Sequence, residues 1–427
     1  MVQKNDPARR SAAHRAKSVI ERMSWDRAFT AMSYRNYRLY FWGQFVSLFG
    51  TWMQTTALGF LVYQLTHSAA YLGLVGFASG LPTWLFMLYA GVIADRFSRR
   101  RVMIITQSLM ALLALFLAFM TFSHLIRPGH IILLAFASGI LNAFDAPSRQ
   151  AIVTDLVENK EDLPNAIALN ATMFNAGSVM GPAMAGVIYA FLGPGWCFTI
   201  NGLSFFAVIG ALLAMTVKSL PVPKFQKSIW KDIREGIQYV FSHRIILTLI
   251  AMVAVMSLFG QTFINLIPAW TVRILKGNAA TNGLLFAARG VGALLSALFI
   301  ASLGRFHFKG KLLTLGSLLF PLMLLAFSFT RWLSLSLVML VGAGAAAIFV
   351  FNMANALVQT LVSDQLRGRV MSIYSLTFFG FTPIGALWIG LVAQRFGEPA
   401  AVITNATVLF LFALGVFALV PAVRAQK

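Results

Sequence analysis

Apolar runs of about 20 residues recur along the whole chain, each ended by a short polar break. Hydrocarbon offers nothing to hydrogen-bond a bare backbone, so runs of this length are read as membrane-spanning helices, whose backbone groups pair within the segment. Twelve are predicted, at about 39–64, 70–94, 102–122, 130–153, 164–192, 195–217, 245–271, 280–304, 312–329, 332–362, 368–394 and 399–421. The pattern predicts an all-α membrane protein. Composition agrees: 59% of the 427 residues are apolar and 11% charged, where a soluble domain carries roughly a quarter charged residues.

Charge changes the picture next. A net charge of +21 suggests nucleic acid, but its placement argues against that partner. With both termini on one side, that side holds 28 of the 34 Lys and Arg. The other side holds Arg127, Arg273, Lys276, Arg331 and Arg395, and Arg289 falls inside a span. By the positive-inside rule the basic side is cytoplasmic, so the expected location is a bacterial inner membrane, multi-pass, with both termini cytoplasmic. The excess then serves topology and attraction to anionic lipid headgroups. A lone cysteine, Cys197, allows no intrachain disulfide and no thiolate metal cluster.

The polar interruptions predict the domains: a basic tail at 1–33, a six-helix bundle at 34–217, a linker at 218–244, a second bundle at 245–422 and a short tail at 423–427. The first 30 residues lack the apolar core of a signal peptide, so span 1 is expected to act as the insertion signal. The tail is read as flexible or peripherally attached, with an interfacial helix through Val19, Ile20, Met23 and Trp25 as the alternative. Tyr34, Tyr37, Tyr40 and Trp42 are expected to form an aromatic belt at the start of span 1. In the linker, Pro221 and Pro223 end span 6, and Ile229, Ile233, Ile237 and Phe241 recur at helical spacing among charges. That pattern predicts an amphipathic helix lying along the membrane face.

The two halves repeat. Ser47-Leu-Phe-Gly50 returns as Ser257-Leu-Phe-Gly260, and Ala69, Ala70, Gly73 and Leu74 return as Ala279, Ala280, Gly283 and Leu284, all offset by 210. Gln150 and Asp155 match Gln359 and Asp364 at 209, and Gly181, Gly186 and Gly193 match Gly385, Gly390 and Gly397 after a shorter loop. Ordered and nearly constant in offset, these pairs imply a duplicated six-helix unit, as in two-bundle transporters.

With the repeat and a basic linker in place, the segment Gly91-Val-Ile-Ala-Asp95-Arg96-Phe-Ser-Arg99-Arg100 between spans 2 and 3 resembles the loop signature of the major facilitator superfamily. Gly50-Thr-Trp-Met-Gln54, Asp145-Ala-Pro-Ser-Arg-Gln150 and Gly181-Pro182-Ala-Met-Ala-Gly186 resemble, more narrowly, the branch of enterobactin exporters and macrolide efflux proteins. The likeness runs from about Ser33 to the end, with Ser98 where the family usually has glycine. It implies two pseudo-symmetric bundles that rock about a midplane site. It also implies a latch on the cytoplasmic side, formed by Gly91, Asp95, Arg96, Arg99 and Arg100, with Asp155 as a partner for Arg99. The bland alternative is a basic loop that only sets topology.

Charge inside the membrane is costly and usually functional. Of thirteen acids only Asp145 falls well inside a span, and Arg149 lies one helical turn on, with Pro147 between them. Two readings stand: Asp145 and Arg149 couple transport to protons, or they are a structural pair ordering a bent helix end. Arg289, among Ala287, Ala288, Gly290 and Gly292, can meet an anionic substrate group or an acid across a cavity, or else a carbonyl or the membrane edge. Gln44, Trp52, Gln54, Asn142, Gln261, Asn265, Asn352, Asn355 and Gln359 lie on the spans that line the cavity in this family. Amides beside aromatic residues and methionines suit large amphipathic molecules, although hydrogen bonds between helices also account for such residues. Gly177, Gly181, Pro182 and Gly186 in span 5 resemble the signature of proton-coupled exporters, with Ala168 and Ala185 where that pattern has glycines. They offer a close-packing face and a bend.

The expectation is a monomeric secondary transporter that needs no cofactor. It would export amphipathic organic compounds, siderophores or drugs, by alternating access against protons, in contact with membrane lipid. No phosphate-cradling motif supports ATP drive. An enzyme is not expected, because all six histidines fall in tails, loops or span ends and no HExxH or paired carboxylates occur. A transport-inactive receptor or assembly partner with the same fold is the alternative.

Overall fold

The computed structural model describes residues 29–216, 229–304 and 306–426. The side chains of Leu88, Val92, Ala94, Asp95, Arg96 and 229–233 also lie outside the description, as does the proposed interfacial helix near Val19. Among the described residues twelve helices are long and apolar enough to cross a membrane, and no strand occurs. Spans 1 to 6 are Arg35–Thr66, Ala69–Arg96, Arg99–Phe122, Pro128–Leu156, Leu163–Leu192 and Pro194–Ala214. Span 7 is Arg244–Arg273. Spans 8 to 12 are Ala279–Ser302, Lys309–Phe329, Leu333–Leu361, Asp364–Phe396 and Glu398–Leu419. The end carrying the loop between spans 2 and 3 is called the basic end below.

The repeat in the sequence is a repeat in packing. A Cβ placed on Gly283 of span 8 would lie 2.5 Å from the carbonyl oxygen of Pro182, and one on Gly186 would lie 3.0 Å from that of Ala279, so spans 5 and 8 cross in backbone contact. One on Gly73 would lie 2.5 Å from the carbonyl of Ala386, and one on Gly390 would lie 2.8 Å from that of Ala69. Spans 2 and 11 thus cross in the same way, at matching repeat positions. Without a hydrophobic drive between helices in lipid, such close approach supplies the packing energy. The turns repeat too: Gly193 and Gly397, with φ of +90° and +88°, break spans 5 and 11 in a conformation that side-chain-bearing residues resist.

Span 7 departs from an even helix. After Arg244–Val255 it runs through a π-helical turn, Met256–Gly260, and a 3-10 stretch, Gln261–Leu266, before Ile267–Arg273. The broken ladder is repaired from span 12, where Asn405, wholly buried, donates from Nδ2 to the Phe259 carbonyl at 2.9 Å. Trp388 Nε1 holds the other end of that amide at 3.2 Å. Irregular backbone at membrane depth persists only where protein satisfies it, and turns of this kind gather at functional sites. Span 1, the repeat mate, is continuous.

The expected aromatic belt is corrected. Tyr37 and Tyr40 are buried, and their hydroxyls donate to the carbonyls of Ala166 at 2.8 Å and Arg149 at 3.2 Å. Tyr34 donates to Asp162 at 2.7 Å, and that bond to a carboxylate raises its phenol above the usual range. The three tyrosines pin span 1 to spans 4 and 5, and only Trp42 faces outward, 58% exposed. The linker helix, Ile229–Ser242, buries Val240 while Ile237 and Phe241 stay exposed, as an interfacial helix would leave them toward lipid.

Candidate functional site

A chain of polar residues from spans 1, 3 and 4 crosses the first bundle. Asp145 is 2% exposed. Its Oδ1 accepts from Thr106 Oγ1 and from Gln107 Nε2, both at 2.9 Å, and its Oδ2 lies 3.5 Å from Arg149 Nε. Gln107 accepts in turn from Ser47 of span 1 at 3.5 Å. A carboxylate taken out of water costs several kcal/mol unless opposite charge and donors replace its hydration, and these three partners do so. Thr106 and Gln107 escaped the sequence reading, although two adjacent polar side chains inside the apolar span 3 were the signal that marks them. Thr106 also walls an apolar cavity of about 440 Å³ between spans 2, 3 and 4, with Ile105, Leu109, Ile140 and Phe144.

The amides divide into two groups. Gln54 accepts from Asn201 Nδ2 at 2.8 Å, joining spans 1 and 6 inside one bundle, and Gln44 is buried with its Oε1 unpartnered. Trp52 packs under Gly177 and Gly181 and edge-on to Phe174, at 5.5 Å between ring centres, so it serves the contact of spans 1 and 5. Asn265, on the irregular part of span 7, reaches the Gly76 backbone of span 2 and donates to the Thr262 carbonyl at 3.2 Å. It therefore stands where the two bundles meet. Gln261 is half-buried at the head of the same stretch. Asn142 and Asn352 are exposed, and Gln359 donates to Asn355 Oδ1 at 2.5 Å.

Arg289 sits mid-way along span 8. Its Nε is sealed from solvent with no hydrogen-bond partner, and no ion pair reaches it among the described residues. Insertion of an arginine at the centre of a membrane helix costs about 3 kcal/mol on translocon scales, so a charge left in this position calls for an explanation.

At the basic end, Arg99 Nη1 meets both oxygens of Asp155, at 2.9 and 3.0 Å, and the Ala151 carbonyl at 3.0 Å. Arg100 caps span 6 through the carbonyls of Leu212 and Leu213, at 2.6 and 3.0 Å. Both contacts stay inside the first bundle. The side chains of Asp95 and Arg96 lie outside the described residues. A Cβ on Gly91 would meet nothing within 4 Å, and the same holds for Gly368. The bundles touch at their other end.

That other end is closed by several contacts. Ser68 donates to Gln394 Oε1 at 2.8 Å, and Gly59 of span 1 lies against Pro268 of span 7. Arg273 pairs with Glu398 at 3.1 Å, with Glu398 2% exposed and Tyr63 of span 1 beside the pair. The sequence placed Glu398 at a span end and gave no sign that it is buried.

A family profile described as "Transmembrane secretion effector" matches residues 27–427. The chain belongs to that family. It is a family of the major facilitator superfamily, made of transporters and not enzymes. The chain is 26% identical over 365 residues to the staphyloferrin A transporter of Staphylococcus aureus, covering 84% of this chain and 90% of that one. It is 22% identical over 396 residues to macrolide efflux protein A of Streptococcus pyogenes, covering 89% and 96%. It is 22% identical over 358 residues to the enterobactin exporter of Shigella flexneri, covering 83% and 84%. In fold it is similar to a bacterial homolog of the human lysosomal transporter Spinster in an inward-facing, occupied conformation. There the TM-score is 0.73, with 14% identity over 92% of this chain and 98% of that one. The nucleoside transporter NupG gives a TM-score of 0.70 with 16% identity, over 90% and 99%.

Proposed function

We propose that this chain is a proton-coupled exporter of amphipathic organic compounds, of the siderophore or drug kind named for its relatives, working by alternating access in a bacterial inner membrane with its basic end and both termini in the cytoplasm. The observation that carries the reading is the buried Asp145, held by Arg149 from its own span and by Thr106 and Gln107 from span 3. A proton taken by Asp145 cancels its charge, releases Arg149, and weakens the hydrogen bonds that tie spans 3 and 4 together. Protonation therefore changes the energy of one bundle, which is what coupling requires.

The remaining parts fit the same cycle. Among the described residues the hydrogen bonds between bundles lie at the end opposite the basic loops, which supports a state open to the cytoplasm. Arg99 with Asp155 and Arg100 with span 6 hold the loop ready, and we assign Gly91, Asp95 and Arg96 to the latch formed when the basic end closes. Gly177, Gly181, Pro182 and Gly186 give span 5 the surface on which it slides between spans 1 and 8. Asn142, Gln261, Asn265, Arg289, Asn352, Asn355 and Gln359 are assigned to the cavity lining.

The test is purified protein in liposomes with an imposed pH gradient. Gradient-driven movement of at least one siderophore or macrolide is expected. Absence of such movement across a panel of both would remove the export reading and leave a binding protein with a transporter fold.

A further inference from the structure

We propose that Arg289 anchors an anionic group of the transported compound, so that the cavity takes organic acids in preference to cations. The proposal rests on the transporter reading and names the charge of its substrate.

Inside the membrane the fixed charges do not balance. Asp145 is spent on Arg149, Thr106 and Gln107, and the other acids of the described chain lie in loops or at span ends. Arg289 is left without a counter-charge. Its Nε is buried and unpartnered, while its terminal nitrogens, also without a protein acceptor, are not sealed off. Ten residues separate it from the start of span 8 at Ala279, roughly 15 Å of helix. A long side chain does not comfortably carry a charge out to water from there.

The surrounding helix turns Arg289 inward. Leu298, nine residues on and so about half a turn round the helix, is 53% exposed, and Leu284 and Leu295 on the same side are 47% and 56% exposed. Gly283 and Gly290 pack on span 5, and Gly292 packs on span 10. Arg289 falls between these two contacts, opposite the lipid side. Asn282 and Ser296, seven residues before and after it on the same face, are 1% and 3% exposed, and each carries a buried polar atom with no protein partner. Arg289 thus lies on a polar face of span 8 that is turned away from lipid.

The repeat isolates the charge further. Gly139 of span 4 packs on the Ser79 carbonyl of span 2, and Gly344 of span 10 packs on the Arg289 carbonyl of span 8. Ser79 and Arg289 are themselves mates at the 210-residue offset. Helix packing at this crossing works with a serine, so the guanidinium in the second half is not needed for the fold. Its planar fork matches a carboxylate through two parallel hydrogen bonds, and an organic acid would supply the missing charge.

The test compares two amphipathic dyes, anionic carboxyfluorescein and cationic rhodamine 6G, binding to the full chain in nanodiscs of neutral lipid, read by fluorescence anisotropy. The parent protein is expected to bind carboxyfluorescein more tightly. Arg289→Gln is expected to weaken that binding about tenfold, and Arg289→Lys less. Neither variant should weaken rhodamine 6G binding, and Arg289→Gln, which removes a charge that repels a cation, should tighten it. Equal or tighter binding of rhodamine 6G by the parent, a result that needs no variant, overturns the proposal, as does unchanged carboxyfluorescein binding by Arg289→Gln. Liposome transport is read separately. Anion binding through Arg289 without gradient-driven movement would sink the export reading alone, and export without the anion preference would sink this proposal alone.

Discussion

Arg273 and Glu398 pair at 3.1 Å between the ends of spans 7 and 12, and the pair is lopsided: the Glu398 side chain is 2% exposed and that of Arg273 54%. The carboxylate depends on the arginine far more than the reverse. Glu398→Gln keeps the volume and removes the charge, and should destabilise the second bundle by about 1–3 kcal/mol, read as a lower thermal midpoint in detergent. Arg273→Gln should cost at least as much, because it strands a buried carboxylate. If Arg273→Gln were the milder change, the buried-acid account of this end would be wrong.

Gly283 and Gly91 make opposite predictions. A Cβ on Gly283 meets backbone at 2.5 Å, whereas one on Gly91 meets nothing within 4 Å. Gly283→Leu should force spans 5 and 8 apart and shift spin-label distances at the end opposite the basic loops, with the bundles still folded. Gly91→Leu should leave those distances and the thermal midpoint unchanged. If the latch forms at Gly91 when the basic end closes, the same variant should slow transport severalfold. Unaltered transport by Gly91→Leu would remove Gly91 from the latch.

Cys197 is the one cysteine in the chain and is wholly buried. The folded protein should not react with a membrane-impermeant maleimide, and should do so once unfolded in detergent. Cysteines placed at Asn142 or Asn352, both exposed, should label from the basic end and be protected when substrate is bound. Labelling from the opposite end alone would reverse the orientation of the open cavity.

The positions of the twelve spans, the duplicated unit and the linker helix were legible because they depend on apolar length and spacing, which the sequence states directly. Span boundaries moved by a few residues where polar side chains continue a helix beyond the apolar run, as Arg35 to Arg38 do in span 1. Tyr37 and Tyr40 misled because a tyrosine near a span end suits a lipid interface and a buried carbonyl equally well, and only tertiary contact decides between them. The break in span 7 depends on Asn405 in span 12 reaching the Phe259 carbonyl, a contact 146 residues apart in sequence that no local pattern announces. For the site, Asp145 and Arg149 stood out by their cost. Their partners Thr106 and Gln107 did not, because uncharged polar residues in a span are common enough to pass unmarked.

The central claim is that Asp145 carries the coupling proton, and Asp145→Asn tests it most directly. Asparagine keeps the size and can still accept from Thr106 and Gln107, so the bundle should fold. The measurement is transport in proteoliposomes, by pH-gradient-driven accumulation and by exchange of labelled for unlabelled substrate with no gradient. The account predicts that Asp145→Asn loses accumulation against a gradient and keeps exchange. Accumulation at the parental rate would contradict it.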